Sequence, residues 1–181
     1  AGVLDSKKVL TETDGNVERA IAILREKGLA RAAKKAERVA KEGAVEAYVH
    51  ASGRIAVLVE VNCETDFVAR TAEFKSLAHD LALQVAAANP RYVRVEDVPA
   101  DVLEAEKSIY RAQMAEEKKP PHVIEKIIEG KAAKFYTEAC LLKQPFIRDG
   151  GRSVESVVQE AVAKLGENIQ VRRFVRFELG D

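Results

Sequence analysis

The sequence predicts an α+β fold, and three observations point to it. Apolar residues alternate with period two over residues 44–61 and again over 169–179. Elsewhere they recur at helical spacing, most clearly in Phe74, Leu77, Ala78, Leu81, Ala82, Val85 and Ala86. Turn and stop signals part these stretches: Ser52-Gly53 within the first alternating region, Asn89-Pro90 after the helical run, and Gly166 before the last strand. The expected core is a three-stranded antiparallel sheet packed with helices.

Taken in chain order, Val3, Leu4, Lys7, Lys8 and Leu10 give a mixed first helix. Thr13-Asp14-Gly15-Asn16 is a turn with Asn16 as helix cap. Val17, Ala20, Ile21 and Leu24 then mark a helix that Gly28 is expected to end. Two short helices cannot close a core alone. The sequence opens at Ala1 and its only methionine is Met114, so a further helix is expected upstream. Residues 29–43, rich in Ala, Lys, Arg and Glu, read as an exposed helical connector.

The first alternating region sets Val45, Ala47 and Val49 against Glu46, Tyr48 and His50, and continues with Ile55, Val57, Val59 and Val61. It reads as a hairpin with one buried face. A helix over 99–118 carries Leu103, Glu106, Ile109, Tyr110 and Met114, and Lys119-Pro120-Pro121 breaks it. Ile124, Ile127 and Ile128 suggest a short helix closed by Gly130, with Phe135, Tyr136, Ala139 and Cys140 in the next. Phe146-Ile147-Arg148 and Asp149-Gly150-Gly151 form an extended piece with a turn. Ser153 caps a helix whose apolar face holds Val154, Val157, Val158, Ala161, Val162 and Leu165. The final strand puts Ile169, Val171, Val175, Phe177 and Leu179 on one parity, interrupted at Arg173, with Phe174 opposite. The chain thus divides into a helical module (1–28), a linker (29–43) and an α+β core (44–181).

Lys+Arg and Asp+Glu both number 29, a balance that counts against a general nucleic-acid clamp. A content of 47% hydrophobic and 32% charged residues suits a folded, soluble domain, and no apolar run approaches the ~20 residues of a membrane span. Cys63 and Cys140, far apart, read as buried thiols in a reducing, cytoplasmic setting.

Signatures of enzymes are missing. The sequence has no G-x-x-x-x-G-K-[ST], no G-x-G-x-x-G and no G-x-S-x-G. His50, His79 and His122 stand apart and the two cysteines are distant, so a metal site is not expected. His79 beside Asp80 reads as a surface pair, and Cys63 as a small core residue. The segment after the second strand carries two readings. Either Asp66 caps a helical turn and Phe67 enters the core, or Phe67, beside Thr65 and Asp66, is an aromatic anchor for a protein partner.

Four motifs give the chain a family resemblance: Ala1-Gly2-Val3-Leu4-Asp5-Ser6-Lys7-Lys8 with the helix after it; Glu60-Val61-Asn62-Cys63-Glu64-Thr65-Asp66-Phe67-Val68; Ile124-Glu125-Lys126-Ile127-Ile128-Glu129-Gly130; and Gly166-Glu167-Asn168-Ile169 running into Arg172-Arg173-Phe174. In their order and span they resemble the bacterial elongation factor Ts family. The resemblance implies a guanine-nucleotide exchange factor that binds elongation factor Tu·GDP and promotes GDP release, without a cofactor of its own. It implies that residues 1–28 match a ubiquitin-associated-like module lacking its first helix. Val3, Leu4, Asp5, Lys7 and Lys8 would contact the nucleotide-binding domain of Tu. Thr65, Asp66, Phe67 and Val68 would disturb its magnesium site. It further implies the short form of the family, a homodimer giving a Tu2·Ts2 assembly, with no nucleic acid or membrane partner. Three positions depart from the family pattern: Lys118 stands where glycine is usual, Lys131 where arginine is common, and Val175 where some short forms carry a linking cysteine. An alternative is a ribosome- or RNA-associated module acting through Arg31, Lys34, Lys35, Arg38 and Lys41 with Arg172, Arg173 and Arg176.

Overall fold

Pairing of the middle strand on both sides builds the sheet. In the computed structural model, which describes residues 3–50, 53–114 and 120–180, β1 (Glu42–Val49) and β5 (Gln170–Glu178) flank β2 (Ile55–Cys63), all antiparallel. The order β1-β2-β5 is the three-stranded sheet expected from the alternating segments. Val57, Val59, Val61 and Cys63 of β2 are buried, so one face of the sheet is packed. Ala1, Gly2, Ala51, Ser52, residues 115–119 and Asp181 lie outside the described residues, and with them part of the hairpin turn, the end of the helix expected over 99–118 and the first residue of the Lys119-Pro120-Pro121 break.

The packed face of β1 is the reverse of the expected one. Glu46 lies opposite Val59 and Tyr48 opposite Val57, so these two turn inward, while Val45 and Val49 are 64% and 63% exposed. Register decides, because residues opposite a buried partner share its face. The inward polar atoms are met by helix α4 (Ala72–Ala88): His79 Nδ1 lies 3.0 Å from Glu46 Oε1, and the His79 ring meets Tyr48 edge-on at 6.0 Å. His79 therefore serves the sheet. α4 buries Phe74, Leu77, Ala78, Leu81, Ala82 and Val85, as its spacing predicts.

The final strand also changes parity. Val171 pairs with Val61 but Arg173 with Glu60, a bulge at Arg172. Val171 is buried before it; after it, Phe174 and Arg176 turn inward and Val175, Phe177 and Leu179 face out. The interruption at Arg173 was the trace of this bulge.

At the front, α1 (Val3–Glu12) and α2 (Val17–Ala33) pack as a pair, joined by the expected turn with Asn16 accepting the Arg19 N–H at 2.9 Å. Their buried residues are Val9, Thr13, Ala20 and Ala32, while Val17 and Ile21 of the expected apolar stripe are exposed. Gly28 does not end α2. An added Cβ there would sit 3.4 Å from Ala163 of α7 (Val154–Leu165), so the glycine permits close helix approach. The connector is helical only to Ala33; residues 34–38 form turns, and their carbonyls find partners elsewhere.

Residues to 86 together with 155–181 form one compact unit, and residues 87–154 a second. In the second, α5 (Ala100–Met114) pairs with α6 (Pro121–Ala139), and a small hairpin joins β3 (Pro145–Phe146) to β4 (Asp149–Ser153). α6 runs unbroken through Gly130, where two helices were expected. Ile128, Ala132, Phe135 and Ala139 are all buried along one stripe, and that packing outweighs a single glycine's cost of about 1 kcal/mol.

Two glycines give opposite expectations. Gly43 has φ +146°, and an added Cβ would overlap the Val61 carbonyl oxygen, so Gly43→Ala is expected to destabilise by about 1–3 kcal/mol or more. Gly130 faces open space within a helix, so Gly130→Ala is expected to stabilise by about 0.5–1 kcal/mol. Urea unfolding of both variants checks the signs.

Candidate functional site

The site begins where β2 leaves the sheet. Ladder pairing ends at Cys63 with β1 and at Asn62 with β5, and the chain turns at once into the single helical turn α3 (Asp66–Ala69). Thr65, not Asp66, is the N-cap: extended at φ −130°, it accepts the Val68 N–H on Oγ1 at 3.4 Å. Cys63 is buried and donates its thiol to the Thr65 carbonyl, and burial pushes its pKa up, so it is a thiol of the core rather than a nucleophile. Cys140, also buried and likewise raised by burial, lies in the second unit.

Capping by Thr65 fixes where the next residues point. Phe67 is 78% exposed, so its ring does not enter the core. Asp66 pairs with Arg70 one turn on, at 2.7 Å, and Val68 is half-buried. An isolated exposed aromatic at the tip of a turn whose neighbours Cys63 and Ala69 are buried has the form of an anchor for another molecule.

Two acidic residues hold the base of this turn, and the sequence alone gave them no role. Glu167 Oε2 accepts the N–H groups of Glu64 and Thr65 at 3.1 and 3.0 Å, and its Oε1 accepts the Thr65 hydroxyl at 2.6 Å. Glu64 Oε1 in turn accepts the Asn168 N–H at 2.7 Å. Their signal was the Gly166-Glu167-Asn168-Ile169 motif, recognisable as a pattern but one hundred residues away from its partners.

The second predicted set lies on α1. Val3 and Leu4 are 86% and 84% exposed, and Lys7 and Lys8 are exposed too. Asp5 pairs with Arg31 of α2 at 2.9 Å, and that guanidinium holds its carboxyl below the usual range. Among the described residues no hydrogen bond or ion pair joins this set to residues 65–68.

Away from both sets, the outer face of the sheet is apolar: Val45, Val49, Leu58, Val175 and Phe177 are all exposed on it. At its end Arg173 pairs with Glu60 at 2.7 Å and draws that carboxyl below its ordinary pKa. Among the described residues no cluster of three His, Cys, Asp or Glu is placed to hold a metal ion, and no helix is long and apolar enough to cross a membrane.

A Phe67→Ala variant is expected to melt within about 2 °C of the parent, because an exposed ring contributes little to the fold. Thermal unfolding followed by circular dichroism checks it; a large drop would mean the ring is packed.

Comparison with known proteins is consistent along the chain. A family model described as Elongation factor TS matches residues 4–181. The chain is 60% identical to an elongation factor Ts of Carboxydothermus hydrogenoformans, over all of this chain and 83% of the relative. It is 60% identical to those of Moorella thermoacetica and Thermotoga neapolitana, over all of this chain and 89% and 91% of theirs.

Proposed function

The chain belongs to the elongation factor Ts family, the guanine-nucleotide exchange factors of elongation factor Tu in translation elongation, and on that premise we propose that Asp66 and Phe67 are the residues that loosen GDP. Exchange is a binding event, in which no covalent bond is made or broken. The observation that carries the proposal is the exposed Phe67 ring on a turn anchored at both ends by buried residues.

Linkage supplies the mechanism. Factor and nucleotide each weaken the other's hold on the partner by the same factor. Burying one phenylalanine is worth about 1.5–3 kcal/mol, and each tenfold gain in release rate needs about 1.4 kcal/mol. Wedging Phe67 into the partner thus accounts for one to two powers of ten. Thr65 and Val68 hold the turn's shape, and the Asp66 carboxylate, whose exposed pairing with Arg70 is weak, leaves it to enter beside the partner's magnesium and phosphates, where repulsion from the phosphates weakens the nucleotide's grip. Val3 and Leu4, flanked by Lys7 and Lys8, form a second contact with the nucleotide-binding domain. Asp5, already paired with Arg31, steadies the α1–α2 pair for that contact.

The outer sheet face supports a homodimer, hence a Tu2·Ts2 assembly. It is apolar, and its rim charges Glu60 and Arg173 neutralise one another, so two copies can meet face to face without a charge clash. Val175 lies on this face, which makes such a pairing non-covalent at that position. A cytoplasmic setting suits both translation and the two unpaired thiols.

An RNA-bound module is less well supported. Several of the basic residues it would use are engaged within the chain: Arg31 with Asp5, Arg38 with Glu64, Arg173 with Glu60, and Lys35 with the Gly166 carbonyl.

Stopped-flow release of a fluorescent GDP from elongation factor Tu tests the wedge. Phe67→Ala and Asp66→Ala are each expected to slow the stimulated release by about tenfold or more; acceleration equal to the parent's in both would refute it. Phe177→Glu is expected to halve the mass seen in sedimentation while leaving the fold intact, and an unchanged mass would place the pairing elsewhere.

A further inference from the structure

We propose that Glu167 is a positioning residue for exchange: its carboxylate sets where the Asp66–Phe67 pair projects. The inference rests on the reading that this pair engages the partner. Past Cys63 the backbone has left both neighbouring strands, so the N–H groups of Glu64 and Thr65 have no ladder partner. Glu167 Oε2 accepts both, and Oε1 takes the Thr65 hydroxyl at 2.6 Å, the same hydroxyl that caps the turn carrying Phe67. One side chain therefore fixes the direction of the backbone into the turn and the rotamer of the cap.

Glu167 is itself held from three sides. The next residue, Asn168, is 2% exposed and returns the contact through its N–H to Glu64 Oε1. Its side-chain amide donates to the carbonyls of Ala36 and Arg38, at 3.2 and 2.7 Å. Arg38 reaches Glu64 at 3.6 Å, and Lys35 donates to the Gly166 carbonyl. Residues 35–38, 64–65 and 166–168 thus close one polar clasp beneath an exposed wedge. A wedge displaced by about 1 Å can lose up to a hundredfold of its effect, and a flexible loop must also be ordered on docking.

The test is a double-mutant cycle read as GDP release from elongation factor Tu, at a temperature where every variant is folded by circular dichroism. Glu167→Ala is expected to slow stimulated release by about tenfold to a hundredfold. Glu167→Gln, whose amide oxygen still accepts the two N–H groups, is expected to recover most of that loss. In a Phe67→Ala background Glu167→Ala is expected to add less than about twofold, since a positioning residue has nothing left to position. A residue that merely stabilised the fold, or touched the partner on its own, would give multiplying effects, and that result overturns the proposal. Normal release by Glu167→Ala beside slow release by Phe67→Ala also overturns it while sparing the wedge. Normal release by Phe67→Ala removes the wedge and the clasp's role together. Amide hydrogen exchange in the unmutated protein gives a check independent of any variant's folding: Glu64 and Thr65 should be protected although they lie outside the ladder, and free exchange there contradicts the clasp.

Discussion

A carboxylate that accepts two successive backbone N–H groups allows the central strand to stop and turn in a single step. Without Glu167, the amides of Glu64 and Thr65 would leave the sheet partnerless in a half-buried place, at a cost of about 1–3 kcal/mol each. With it, β2 ends at Cys63 and α3 begins at Asp66, with only two residues between. The short handover keeps Phe67 close to the sheet while its ring stays in solvent. For the proposed exchange role the abruptness matters, because a longer loop would carry the same residues with less fixed direction.

The two faces of the sheet have separate roles. The inner one is closed by α4, with Glu46 and Tyr48 drawn in and met by His79. The outer one bears Val45, Leu58, Val175 and Phe177 in the open. Apolar residues gathered on one open face form a surface that another molecule can cover, and the proposed pairing of two copies would cover this one. The bulge at Arg172 contributes by turning the end of β5 over, so that Phe174 packs inward and Phe177 outward.

Much of this is legible in the sequence. The alternating segments give the strands, the run from Phe74 to Ala86 gives α4, and the four motifs give the family. What the sequence could not express was pairing. Period two identifies a strand but not its buried side; that comes from the register against β2, which reversed the expectation for Val45, Ala47 and Val49. The glycines misled for a related reason. Gly28 and Gly130 look like helix ends in isolation, yet one admits α7 and the other sits in open space along a well-packed helix. At the site, residue types and place were readable from Thr65-Asp66-Phe67-Val68. The carboxylate beneath it was not, because Glu167 lies 102 residues along the chain from Thr65.

In the proposed exchange the Phe67 ring enters the partner beside its nucleotide. A photo-activated cross-linker carried in place of that ring reports whether it does. Irradiated with nucleotide-free elongation factor Tu, it should capture peptides of the partner's nucleotide-binding domain that border the magnesium site, and excess GDP with magnesium should suppress the capture. Capture only of peptides from its own chain, or of a partner surface indifferent to nucleotide, would contradict it.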